Sequence, residues 1–383
     1  MTTDGPASAP DRAPDPHSPS GPDAAAAPHP AEDRTGSGQG SELRDPLEKL
    51  DSERRERRQN ILVTFAWFLH WLLRVWLAVM LLVYGWSKVV LLQMGLADYG
   101  DALTQFGEMS PMGLLWRFMA YSPVVQGLAG AAEVLAALLL LLRRTAWLGA
   151  LLAVADMAVV FLLNMAFDVP VKQLSGLMCL AGLVVLLPFL PRILRFTAGR
   201  ATGPAILPNA VPWPRLARFT RWLGAILAVV MVAGSGAVFV WSALGIERVA
   251  GPVPGVHRVV EDSQEPAAQL VDDDRWQQVA FGQWSNEGEA RVGIRYANGD
   301  FQDGVYRLDG DTITVSLNRI RAGSQPLGRS DYVASFDLTW EEQGDGRIAL
   351  TGDQVDLVIE PDEESRYLFD REFSWEPRAP INR

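Results

Sequence analysis

The sequence predicts an α-helical membrane bundle, a four-helix core plus a fifth transmembrane helix. It further predicts an extracytoplasmic all-β barrel or sandwich after the bundle and a disordered tail before it. Three observations carry this. Five apolar runs approach the length needed to cross a bilayer. Formal charge is partitioned into −4 over residues 1–59, +6 over 60–245 and −13 over 246–383, which together make the net −11. Short β-branched runs separated by Gly-containing turns recur through the last block.

Residues 1–59 are expected to be a disordered cytoplasmic tail. Nine prolines fall in residues 1–46 among many Ala, Gly, Ser and Asp, with no apolar period of 2 or 3.6. Such a segment buries too little surface to offset chain entropy. No apolar core follows Met1, so no signal peptide is expected. Basic residues of the run Glu53–Arg58 stand directly before the first apolar stretch.

Residues 60–191 form the four-helix membrane domain, with spans near 68–92, 122–142, 145–166 and 172–191. A fifth helix near 220–243 lies in segment 220–245, after a basic linker, 192–219. Residues 111–120 (PMGLLWRFMA) are too short to span and read as an interfacial helix. Arginines cluster before the first span, at Arg143 and Arg144, and between the fourth and fifth spans; the alternate loops carry Asp98, Asp101, Glu108 and Arg117 on one and Asp168 with Lys172 on the other. The positive-inside rule puts the N-terminus in the cytoplasm and residues 246–383 outside. With 31 Arg against 3 Lys, the composition points to a bacterial protein, hence to the inner membrane.

Residues 246–383 alternate in TITVSL and SFDLTW. Strand signals fall at Val279–Phe281, Arg291–Tyr296, Thr312–Leu317, Val333–Trp340, Ile348–Leu350 and Val355–Ile359. Turn chemistry separates them at Asn298-Gly299, Asp309-Gly310, Gly344-Asp345-Gly346 and Gly352-Asp353. Seven or eight antiparallel strands are expected.

Composition excludes several functions. Excess acid argues against a nucleic-acid partner. The single cysteine, Cys179, excludes a CxxC pair or thiolate metal site within one chain, and the histidine placement excludes a two-histidine membrane haem. No covalent or metal-bound cofactor is therefore expected. His257 is the sole histidine of the β block, so no Ser/His/Asp arrangement is expected there. Asp272-Asp273-Asp274 lacks EF-hand spacing and reads as a solvated turn.

Ionisable groups inside spans are expensive and by default functional candidates. Glu133 and Asp156 lie near the middles of the second and third spans. Asn164 shares a helical face with Asp156, and Asp168, Lys172 and Ser175 follow around Pro170. Tyr84 and Lys88 lie one turn apart on the first span. Together, Tyr84, Lys88, Glu133, Asp156, Asn164, Asp168, Lys172 and Ser175 form a candidate polar pocket in the outer half of the bundle. Lys88 or Lys172 would pair with Glu133 or Asp168; the bland alternative is a set of interhelical ties. His70, Arg74 and the tryptophans at 67, 71, 86, 116, 147, 222 and 241 read as interface residues. Cys179 reads as a small core residue, and Gly234-Ser235-Gly236 as a packing or flexing site.

The runs YGWSKVVLLQM (84–94), MSPMGLLWRFM (109–119), GAAEVLAALLLLLRRTAWLGALL (130–152) and NMAFDVPVKQLSGLMCL (164–180) resemble the DoxX-like membrane proteins. The resemblance covers about residues 68–191; the chain's ending from Tyr367 is more loosely similar to extensions of larger members. It implies a four-helix bundle in the bacterial inner membrane and an association with quinone-linked or thiol-redox complexes. The resembling positions are Tyr84, Lys88, Gln93, Glu133, Asn164, Asp168, Lys172 and Ser175. The fifth helix and the β domain depart from the pattern.

Three functions follow as expectations. The first is a redox-associated subunit, not an enzyme alone, that binds a quinone-like or other small apolar ligand and works with a protein partner. The second is a non-catalytic envelope anchor whose β domain binds a protein or lipid. The third is a proton-coupled small-molecule transporter. The lipid bilayer is a partner in all three.

Overall fold

The computed structural model describes residues 39–203, 214–320, 332–353, 355–371, 374 and 376–379. The disorder expected for residues 1–38, part of the basic linker and the final Asn382-Arg383 lie outside them. The chain divides into two compact units at Ile61/Leu62.

Helix α1 runs Gln39–Val89. Residues 39–59, expected within the disordered tail, are therefore helical. Proline density ends at Pro46, and Leu, Glu, Lys and Arg, all good helix formers, fill the segment that follows. Lys49/Glu53 and Glu53/Arg57 add favourable i,i+4 spacing, and extending an existing helix avoids a new nucleus.

Helices α2 (Pro111–Tyr121), α3 (Pro123–Leu141), α4 (Ala146–Ala166), α5 (Lys172–Leu186), α6 (Leu190–Thr197) and α7 (Pro214–Ala243) follow. Ser-Pro pairs start α2 and α3. Ser110 and Ser122 accept the backbone N–H groups of Gly113 and Val125, while Pro111 and Pro123 occupy positions that need no donor. Among the described residues five helical segments are long and apolar enough to cross a membrane: Glu48–Val89, Pro123–Leu141, Ala146–Ala166, Lys172–Thr197 and Trp222–Ala243. These five candidate spans make the chain a membrane protein. The short helix α2 falls where a helix too short to span was expected, at 111–120.

Leu77, Leu81, Ala136, Leu140, Ala153, Met157, Met178 and Val185 form the centre of the bundle. Small residues set the approach of its helices. A Cβ on Gly130 would stand 2.4 Å from the Gly85 carbonyl oxygen and 2.7 Å from Lys88 Cβ. One on Gly149 would stand 2.4 Å from Leu140 N, so α3 and α4 are in backbone contact.

Strands β1 (Ile246–Arg248), β2 (Gly255–Asp262), β3 (Trp276–Asn286), β4 (Glu289–Tyr296), β5 (Phe301–Asp309), β6 (Thr312–Asn318), β7 (Tyr332–Gln343), β8 (Arg347–Thr351) and β9 (Asp356–Pro361) precede helix α8 (Glu363–Asp370). Strands β2 to β9 pair antiparallel in the order β3-β2-β9-β8-β7-β6-β5-β4, and β4 returns to β3. The sheet thus closes into an eight-stranded barrel, with β1 added alongside β3. Closure removes the exposed strand edges that invite aggregation. The interior is a packed core: Phe281, Ile294, Tyr306, Ile313, Leu338, Ile348 and Leu350 are fully buried. Phe281 and Tyr306 meet edge to face at 5.1 Å, and the Tyr306 hydroxyl donates to the Gly282 carbonyl at 2.7 Å.

The barrel docks on the loop between the first two spans, which joins α1 to α2. Asp98 is buried there and accepts the backbone N–H of Gln283 on β3 at 2.7 Å. Arg295 of β4 grips Glu108 with both guanidinium nitrogens at 2.7 Å and donates to the Leu103 carbonyl at 2.5 Å. Asp101 accepts from Arg117 of α2 at 2.9 Å and from Arg291 of β4 at 2.6 Å. Tyr99 and Leu103 pack against Val256 and Ala280. The loop and the barrel therefore lie at the same end of the bundle, in agreement with an even number of crossings between them.

Candidate functional site

The intramembrane polar residues divide into two groups. Lys88 Nζ on α1 donates to Glu133 Oε1 on α3 at 2.6 Å, with side chains 6% and 1% exposed. The close crossing at Gly85 and Gly130 brings them together, because Gly130 sits under Lys88 and Glu133 follows one turn later. Lys88 Nζ also stands 5.8 Å from the centre of the Tyr84 ring. On the far wall Asn164 Nδ2 donates to Ser175 Oγ at 3.0 Å, and Ser175 Oγ donates to the Lys172 carbonyl at 2.9 Å.

These side chains, with Asp156, line one cavity of about 140 Å³. Its apolar wall includes Met94, Met119, Met157, Met178, Leu115 and Trp116. Six of the eight expected pocket residues thus meet: Tyr84, Lys88, Glu133, Asp156, Asn164 and Ser175. Asp168 and Lys172 do not line it. They pair with each other at 2.5 Å across the break between α4 and α5, and the Asp168 side chain is 78% exposed. Pro170 ends the regular helix beyond Asn164, and Asp168 adopts a left-handed φ of 51° that turns its side chain outward. The bond from Lys172 holds the Asp168 carboxyl below its ordinary pKa.

The roof comes from the end of α1 and from α2. Ser87 Oγ donates to Gln93 Oε1 at 3.1 Å, and Trp116 Nε1 donates to the Gln93 carbonyl at 3.1 Å. Gln126, fully buried on α3, accepts from Met94 N and donates to the Gly95 carbonyl. Trp116 lines the cavity, and Trp86 packs into the bundle core, where Gly236 of α7 lies against its ring. Polar residues near Gly95 carry a helix-ending signal, but their convergence on one cavity requires the α1–α3 contact. The rest behave plainly: His70 pairs with the Val185 carbonyl, and Cys179 lies 3.8 Å from the Val154 carbonyl oxygen.

Outside the spans, burial raises Asp98 to about 6 against the opposing bond from Gln283 N and the charge of Arg291. The bond from Arg295 holds Glu108 below its ordinary pKa. Burial lowers His257 to about 4, and its Nε2 pairs with the Val253 carbonyl at 3.0 Å. Within the acidic turn, Asp273 is tied to Arg275 at 2.9 Å and 3.0 Å.

Fold and site define a membrane protein with a largely apolar cavity in its helical bundle, reached by a few polar side chains, and a docked β-barrel. The chain is 33% identical over 142 residues to the uncharacterized protein YwoB of Bacillus subtilis (strain 168), a match covering 35% of this chain and 79% of the relative. It belongs to the same family as YwoB. No family model matches the chain, and no solved structure matches it.

Proposed function

We propose that the chain is a DoxX-like protein of the bacterial inner membrane, with its N-terminus cytoplasmic and its barrel outside. In this reading it is a redox-associated subunit that binds the ring of a quinone-like ligand in the cavity. One observation carries the proposal. A volume of about 140 Å³ is close to the ~150 Å³ of an apolar cavity that accepts one benzene ring. The wall suits such a ring: four methionines supply polarisable contacts to aromatic faces. Lys88, Glu133 and Asp156 supply polar groups for oxygen substituents on the ring edge. The electron-carrying centre is assigned to a partner protein, since one chain offers a single cysteine and four histidines. The packed barrel interior directs any partner of that domain to its outer face.

The test is gentle purification into nanodiscs, extraction of bound lipid and identification by mass spectrometry, repeated with Glu133→Gln and Lys88→Met. A stoichiometric quinone-class molecule released by either substitution is the expected result. Bulk phospholipid alone, unchanged in folded variants, would make the charges structural.

A further inference from the structure

Glu133 is 1% exposed and commits Oε1 to Lys88; its Oε2 is buried with no hydrogen-bond partner. Asp156, on the next span and on the same cavity wall, leaves Oδ2 in the same condition. Two of the neighbouring donors already have partners. Asn164 Nδ2 bonds Ser175, and Trp116 Nε1 bonds the Gln93 carbonyl. Lys88 Nζ gives one of its three N–H groups to Glu133. The wall therefore presents two buried orphan acceptors from two different helices. Buried acceptors are costly until a donor reaches them, and a site with such acceptors discriminates strongly against an analogue that lacks the donor.

We infer that the cavity takes its ligand in the hydroxyl-bearing form: a dihydroxyarene whose O–H groups donate to Glu133 Oε2 and Asp156 Oδ2. The inference rests on the ring-binding reading above and adds the redox state of the ligand. The oxidised ring carries only carbonyl oxygens, which would set acceptor against acceptor at both positions. The argument applies to the ionised carboxylates, whose oxygens only accept. Preferential binding of the reduced form raises the potential of the bound two-electron couple by about 30 mV for each tenfold ratio of affinities.

The test uses the full chain in quinone-free nanodiscs and anaerobic calorimetry with three probes of one ring: durohydroquinone, duroquinone and the dimethyl ether of durohydroquinone. Durohydroquinone is expected to bind at least tenfold tighter than the other two. Asp156→Asn, which can present an N–H where Oδ2 stood, is expected to narrow that ratio to within threefold. Binding of the quinone or the ether as tight as that of the hydroquinone would overturn the donor assignment and leave the ring-binding reading intact. Binding of none of the three would remove the ring-binding reading itself. If Asp156→Asn does not fold, the ether comparison on the unsubstituted chain decides alone.

Discussion

The Asp98 carboxylate accepts the backbone N–H of Gln283 at 2.7 Å, joining residues 185 positions apart and seating the first interhelical loop on strand β3. Gly282 permits the approach: a Cβ there would stand 2.6 Å from Asp98 Oδ2. Arg291 and Asp101 face Asp98 with opposite effects on its charge, but burial dominates and raises it from 3.8 to about 6. A raised folded-state pKa means that the folded state holds the proton more tightly. Its stabilising contribution is complete below the unfolded value and is lost as pH rises through about 6. Asp98 therefore contributes more stability at pH 5 than at pH 7.5, while His257, buried as the neutral imidazole, opposes it over the same window. The ceiling is on the order of 2–3 kcal/mol, from ~1.4 kcal/mol per pH unit. The thermal midpoint of the unsubstituted chain, measured against that of Asp98→Asn, should stand relatively higher at pH 5 than at pH 7.5; a difference that does not change with pH would assign the dependence elsewhere.

Arg295 holds Glu108 from a position only 5% exposed. Arg295→Ala strands the Leu103 carbonyl and frees the loop. A loss of about 2–3 kcal/mol is expected, below the range for fully buried pairs because Glu108 is part-exposed. Thermal unfolding with limited proteolysis of residues 97–108 reads it. Cleavage there at the unsubstituted rate would count against the clamp.

Removing one member of the Lys88–Glu133 pair leaves a charge in the bundle core. Lys88→Met alone is expected to cost about 3–5 kcal/mol, and the double substitution Lys88→Met with Glu133→Gln should recover most of it. A double-mutant cycle in mild detergent measures the coupling. Additive losses would mean that the two residues act separately.

Gly130→Ala introduces a methyl group where Gly85 oxygen, Lys88 Cβ and Val89 N crowd within 2.8 Å. About 1–3 kcal/mol of destabilisation is expected, with the α1–α3 crossing pushed apart. Gly127→Ala is the control, since nothing lies within 4 Å of its added Cβ. Equal stability of the two variants would remove the case for close crossing.

The spans and several strands are legible in the chain because hydropathy and alternation are local properties. TITVSL reads directly as β6, whose residues alternate between half-buried and buried. Strand β5 does not read this way. Its buried positions include Gln302, Gly304 and Tyr306, whose inward placement depends on Gln302 reaching the Asn318 carbonyl and on Gly304 lying against Ser316. The short β1 and the charge-rich β2 escape for the same reason: pairing with β3 and β9 defines them more than their own residues do.

The sequence by itself determined that charged groups are embedded in a membrane bundle and that a β domain follows. Desolvation is expensive enough to make each such residue conspicuous wherever it lies. Only the tertiary structure decided the partners. Lys88 takes Glu133 because α1 and α3 touch at two glycines, while Lys172 turns outward to Asp168 beyond the Pro170 break. It also decided that Asp98, Asp101 and Glu108 are docking groups on the barrel. Their chemistry is set by strands nearly two hundred positions away, and no local period encodes such a contact.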